Sequence, residues 1–415
     1  MTVAALPRGV LVVSFFAFAT FVPFSIAGMN IAFGFGALAW LASWASRDSA
    51  RVPLHEDRLA WASLLLVASA LPSVWMSENS ARAIKDVSSY WQLLIVFWVG
   101  CNVLAVRMRA ASFWTLVVSS TLACCMVLVQ GSSGLDLGFL DIPKRYRPGG
   151  TLYTMTFAGI VYQLIVLNCA VLFTHAMRAR NRIVLAAVVA IQIAAIMFTM
   201  TRGAWLALAA GLFALCVLLR NRVLSWIATV LVVALAVFAV SAHKGRSIPE
   251  LLRSGLDIDA STRVVLWDIA WDLFKQHPLT GVGMGDYTIE ADKLLAGRRV
   301  TTTVDTHNVY LHILATRGVI GFVPFVLFWT VLVRRLLRIR GSTEKGTADH
   351  QYAVGALAAT VAVLVGALTE LNIDDSEVFM AFMFVAGLAL SPSFAAGSRY
   401  DGGAAQRRKN DSQRS

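Results

Sequence analysis

Apolar residues in this chain gather in long uninterrupted blocks rather than in the stripes of a surface helix. Twelve blocks near twenty residues stand out, at roughly 9–27, 29–45, 59–76, 90–106, 111–130, 152–175, 183–200, 203–219, 223–242, 309–333, 352–371 and 377–393. About twenty residues is what a helix needs to cross a bilayer core of ~30 Å. Barrel strands need only about ten alternating residues, so run length predicts helices. The first block is too long for a signal peptide and lacks a small-residue cleavage site, so it reads as a retained helix. The pattern predicts an all-α membrane protein of about twelve transmembrane helices. Helices one to nine fall in residues 1–242, one large outer loop in 243–306 and helices ten to twelve in 307–393. A polar, Gly- and Arg-rich tail, expected to be disordered, fills 394–415.

Composition agrees with this. Of 415 residues, 58% are hydrophobic and 14% charged, too apolar for a soluble protein of this size. Twelve spans put both termini on one face, and the basic residues say which. The segments on that face hold 21 Lys and Arg, whereas the short loops opposite hold six: Arg82, Lys85, Lys144, Arg145, Arg147 and Arg202. The positive-inside rule then makes the termini cytoplasmic and the loop 243–306 external. The net charge of +12 is therefore a topology signal, and no nucleic-acid partner is expected. The five cysteines lie within or beside apolar runs at no zinc or disulfide spacing, and read as small hydrophobes. There is no internal repeat and no long central cytoplasmic loop, which speaks against a transporter built from two halves.

The outer loop carries structure of its own. In "STRVVLWDIAWDLFKQHP" (261–278), Val264, Trp267, Trp271 and Phe274 recur at helical spacing and Pro278 ends the pattern, predicting an amphipathic helix on the membrane face. "HPLTGVGMGDY" (277–287) follows, with Gly281, Gly283 and Gly285 alternating. The spacing is wrong for a dinucleotide fingerprint; it suits a tight turn or a close approach of backbone to a ligand. Asp257 and Asp259 form an Asp-x-Asp pair, which alone is more commonly a solvated loop pair than a metal site, and neither metal nor cofactor is expected.

"DTHNVYLHILATRGVIGF" (305–322) opens the next span. Asp305 or Thr306 can N-cap the helix, leaving His307 in its first turn on one face with Tyr310, Leu311 and Leu314. There the helix dipole disfavours the imidazolium and helps keep the ring a neutral base, while a nearby anionic substrate would push the other way. Arg317 lies ten residues further, about 15 Å deeper along a straight helix, outside the expected site. Cations share the outer face: Arg82, Lys85, Lys144, Arg145, Arg147, Arg202 and Arg263. Arg202 sits in a connection of a few residues, where a charge needs a partner or a wet cavity. Several cations beside a histidine suit a diphosphate-bearing lipid, since guanidinium forks hold phosphate oxygens as the group departs. Diphosphate needs no general acid to leave; the incoming hydroxyl needs a base, which His307 supplies. Glu370, near Asp374 and Asp375, is the acid at a span's edge that would best serve a transporter.

Three stretches, "TRGAWLALAAG" (201–211), "STRVVLWDIAWDLFKQHPLTGVGMGDY" (261–287) and "THNVYLHILATRGVIGF" (306–322), resemble the O-antigen ligase and polymerase superfamily of bacterial membrane glycosyltransferases. "RPGGTLYTMTFAG" (147–159) is a looser match, in which Tyr153-Thr154-Met155 replaces a more usual Asn-Pro-like turn. The resemblance implies a GT-C-type helical fold in the bacterial inner membrane, with its site facing the periplasm. It implies metal-independent, inverting transfer of a glycan from undecaprenyl diphosphate, in a ligase to lipid A–core. Carried onto this sequence, the family histidine falls on His307 and the motif arginines on Arg202 and Arg263, with Arg147 looser. Arg82 and Lys85 join them from charge and sidedness. A polymerase of the same superfamily and a lipid-linked sugar transporter are the competing readings.

Overall fold

The computed structural model describes residues 5–45, 54–103, 108–136, 141–174, 177–221, 226, 259–295 and 305–412. Fifteen α-helices run through these residues: α1 (Ala5–Phe21), α2 (Ile26–Ala45), α3 (Arg58–Ala68), α4 (Leu71–Met76), α5 (Ser80–Ser88), α6 (Leu94–Asn102), α7 (Arg109–Ser132), α8 (Thr154–Thr174), α9 (Ala179–Phe198), α10 (Arg202–Leu219), α11 (Asp259–Gln276), α12 (Tyr287–Leu295), α13 (Val309–Ser342), α14 (Ala348–Gly366) and α15 (Ser376–Ser412). The only strands among them are Leu135–Asp136 and Asp141–Ile142, a two-residue antiparallel pair.

Among the described residues nine stretches are long and apolar enough to cross a membrane: Ile26–Trp44, Arg58–Met76, Arg109–Ser132, Thr154–Thr174, Ala179–Phe198, Arg202–Leu219, Val309–Ser342, Ala348–Gly366 and Ser376–Phe394. The chain is thus a multi-pass membrane protein. Three of the twelve expected spans are not among the nine. Pro7–Phe21 is a shorter apolar helix. The block at 90–106 is split, a 3-10 turn over Ser89–Leu93 leading into the nine-residue α6. Apart from Trp226, the block at 223–242 lies outside the described residues, as do 243–258 and 296–304 of the expected outer loop, Asp257 included. α15 continues as helical backbone beyond the apolar run, through Pro392, into the tail expected to be disordered.

Side-chain oxygens set several helix starts. Asp57 accepts from the amides of Leu59 and Ala60, Asn79 from Arg82, Asn308 from Leu311 and Thr347 from His350. Each satisfies an amide that the helix itself leaves without a partner. α8, α14 and the apolar part of α15 are buried on most faces and form the centre of the bundle. Polar side chains join helices inside it: Asn168 donates to Gln192, Gln192 to Ser120, and Asn372 to Tyr162. Such bonds hold helices together where lipid offers no alternative partner. At one end of the bundle Arg109 pairs with Asp349 and Arg335 with Asp57. At the other end α4 finishes, α8, α10, α13 and α15 begin, and α14 finishes; the candidate site lies there.

α13 is broken. Gly318 has φ 58° and ψ −159°, outside helical geometry, and the turn after α11 docks into the gap. Val282 N–H donates to Ala315 O and Gly283 N–H to Thr316 O, while Val319 N–H donates to Pro278 O and Ile320 N–H to Leu279 O. Ser73 Oγ donates to Thr316 O from a third segment. A Cβ at Gly281 would fall 2.2 Å from the carbonyl carbon of Thr316, and one at Gly318 2.3 Å from Leu279 O. The alternating glycines therefore do bring backbone close, though to another stretch of backbone rather than to a ligand.

Candidate active site

Asp286, 4% exposed, ties the turn after α11 to the loop before α5: its carboxylate accepts from the amides of Glu78 and Asn79. That carboxylate and the Asn79 cap set α5 over the cavity at this end of the bundle, with Arg82, Lys85 and Asp86 on its wall. The cavity encloses about 740 Å³. Its exposed cations are Arg82, Lys85 and Arg147, and its buried inner wall includes Phe325, Phe328 and Trp329.

His307 lines the same space but not as expected. Asn308, not Asp305 or Thr306, is the N-cap of α13, so His307 precedes the helix. Its φ of 47° is left-handed, a conformation that costs a non-glycine residue about 1 kcal/mol or more and clusters at functional sites. Around it the backbone is pinned by Trp267 Nε1, donating to Thr306 O at 3.0 Å, and by the fully buried Thr306, whose Oγ1 donates to Asn308 O. Its electrostatic partner is a carboxylate rather than the helix dipole: Nδ1 lies 3.2 Å from Glu370 Oε2. The second carboxylate oxygen, Oε1, accepts from Arg263 Nη2 at 2.9 Å. Glu370 thus joins His307 to Arg263, although 63 and 107 residues separate it from them in the chain.

The other expected residues divide. Arg82 donates to Thr288 Oγ1, and Arg147 Nε approaches Thr199 O at 3.4 Å. Arg263 is committed to Glu370 and does not line the cavity. Arg202 is the exposed first residue of α10 and does not line it either, yet its helix start abuts the triad. A Cβ at Gly203 would lie 2.5 Å from Thr369 Oγ1 and 3.4 Å from Glu370 Cγ. Met200, just before, is also left-handed at φ 55°. On α11 the core-facing side is Leu266, Ile269, Ala270 and Leu273, while Val264 and Trp271 of the aromatic stripe are exposed.

Two features went unread in the sequence. Arg317, set aside as too deep, lines the cavity with only 4% of its side chain exposed, because the cavity follows α13 past His312, Ile313 and Thr316 to Trp329. Glu370 gave a signal, an acid at an apolar edge, but nothing in sequence tied it to His307. Among the wall residues, burial pushes the Asp86 carboxyl above its ordinary value, with Asp374 adding to the effect and Arg82, His312 and Lys85 opposing it. Burial likewise raises the Tyr287 phenol.

Residues 185–326 match the family model described as O-antigen ligase. The match covers part of α9, all of α10 to α12 and α13 to beyond its break, so it includes Arg202, Arg263 and His307. No curated protein matches the chain.

Proposed function

From the match of residues 185–326 to the O-antigen ligase family, we propose that this chain is an O-antigen ligase of the bacterial inner membrane, a membrane glycosyltransferase. In this reading the site faces the periplasm, and a preformed glycan passes from undecaprenyl diphosphate to lipid A–core with inversion at the anomeric carbon. The observation that supports it is the arrangement of Arg263, Glu370 and His307 beside a cavity with cations at its exposed edge and aromatic rings on its inner wall. With Nδ1–H donating to Glu370, the His307 Nε2 lone pair is left to accept a proton.

The acceptor hydroxyl loses its proton to Nε2 as its oxygen bonds to the anomeric carbon. The bond from that carbon to the diphosphate oxygen breaks, its electron pair leaving on the diphosphate. Arg82, Lys85 and Arg147 meet that growing negative charge, and Glu370 meets the imidazolium. Arg263 acts through Glu370 as a positioning residue, and Arg202, at the helix start packed against Glu370, is assigned to the diphosphate from the exposed side. Glu370, the residue that best served a transporter, is held by two partners at the cavity edge.

The test is product analysis on purified protein. A ligase given lipid-linked glycan and lipid A–core attaches the glycan in one step and releases undecaprenyl diphosphate, and His307→Ala abolishes this while the donor still binds. A ladder of lengthening lipid-linked glycan without lipid A–core would establish the polymerase instead. Near-normal turnover by His307→Ala would refute the mechanism.

A further inference from the structure

Beyond the triad, five residues that line the cavity each carry a buried polar atom with no hydrogen-bond partner among the described residues: Asn372 Oδ1, whose amide nitrogen already donates to Tyr162, and Tyr90 OH, Tyr287 OH, His312 Nδ1 and Arg317 Nε. Leaving such groups unmet is costly, and native structures rarely tolerate several together without a reason. The Tyr287 and His312 rings meet edge-on, 5.0 Å apart, and the Arg317 guanidinium lies 5.7 Å from the centre of the Tyr90 ring. Two carboxylates complete the group. Asp374 Oδ1 stands 4.0 Å from Arg317 Nη2, too far for a hydrogen bond, and Asp86 is within electrostatic reach of Arg317, His312 and Asp374.

The mixture defines the ligand. A phosphate presents acceptors only and would be repelled by two flanking carboxylates. A sugar ring presents hydroxyls that donate and accept at once, and it suits a wall alternating carboxylate, phenol, imidazole and guanidinium beside aromatic faces. We propose that Tyr90, Tyr287, His312 and Arg317, with Asp86 and Asp374, form a subsite for the hydroxyls of one pyranose ring of a glycan substrate. Which substrate brings the ring rests on the glycosyl-transfer reading above; that the wall binds sugar does not.

The experiment is direct binding to the full-length protein in nanodiscs, followed by intrinsic tryptophan fluorescence, with three probes: delipidated lipopolysaccharide core oligosaccharide, glycan released from the lipid-linked donor, and inorganic pyrophosphate. Arg317→Gln weakens one oligosaccharide about tenfold or more, and Tyr90→Phe and Tyr287→Phe, each losing one oxygen, weaken it about threefold to tenfold. Pyrophosphate binding stays as in the wild type. Loss on the core arm assigns the ring to the acceptor, and loss on the glycan arm to the donor. If Arg317→Gln does not fold, the two phenylalanine variants carry the test. Weakened pyrophosphate with both oligosaccharides unchanged, or no change with any probe, overturns the subsite. A wild type that binds oligosaccharide but transfers none would refute the ligase reading and leave this one standing.

Discussion

Replacing Glu370 by Gln changes one oxygen into an amide and keeps the side chain's shape, which makes it the sharpest probe of the triad. The carboxylate accepts from Arg263 on one oxygen and faces His307 Nδ1 on the other, with 15% of its side chain exposed. An amide can satisfy both neighbours only by keeping its oxygen on Arg263 and turning its NH2 toward the ring. It then donates to Nδ1, which moves the ring proton to Nε2 and removes the lone pair that takes the acceptor's proton. A base held in the wrong tautomer forfeits its contribution, about 10²- to 10⁴-fold, or about 3–5 kcal/mol of barrier. Fold stability should change less than the chemical step, because the amide keeps one bond to Arg263 and one to the ring, so neither neighbour is left without a hydrogen-bond partner. Single-turnover transfer with excess enzyme, beside a thermal unfolding scan in the same detergent, separates the two effects. Expected are a chemical step slowed at least a hundredfold, an almost unmoved unfolding midpoint, and partial recovery in Glu370→Asp. A Glu370→Gln enzyme with wild-type single-turnover rate would refute the proton-transfer role of the pair.

Three further outcomes follow from the same geometry. Gly281→Ala puts a methyl into the Thr316 backbone at a φ of 68°, and should cost upwards of about 2 kcal/mol, read as a lowered unfolding midpoint. Asp86→Asn removes a carboxyl whose folded value is raised by burial. The wild type therefore loses stability as pH rises above the ordinary aspartate value and through the raised one. The variant should gain in midpoint over the wild type at pH 8 and lose that gain at pH 4. In sealed right-side-out vesicles, an impermeant thiol reagent should label Lys144→Cys and spare Glu344→Cys in a background without native cysteines; the reverse pattern would put the cavity on the cytoplasmic side.

Much of this is legible in the amino-acid sequence. Block length announces membrane helices because lipid leaves the backbone no other arrangement, and Arg82 and Lys85, singled out by charge and sidedness, line the cavity together with Arg147, which the resemblance also offered. The rest depends on long-range contacts or departures from ideal helix. Glu370 reaches His307 only through the packing of α14 against α13. Arg263 looked like a phosphate ligand because its charge was visible and its carboxylate partner was not. A straight-helix count put Arg317 beyond the site, since it measured distance from His307 and could not see the cavity running along the helix.

The docked break in α13 also constrains how the protein is made. A span that stops being helical at Gly318 exposes amides and carbonyls to hydrocarbon unless something fills the gap, and here the filler is the turn at 278–283, contributed from outside the span. Membrane integration of this helix and docking of the 278–283 turn are therefore a single event. Chain order suits the requirement, because the turn leaves the ribosome about thirty residues before the span that needs it. α13 acquires its final form only by closing over a piece of the chain made before it.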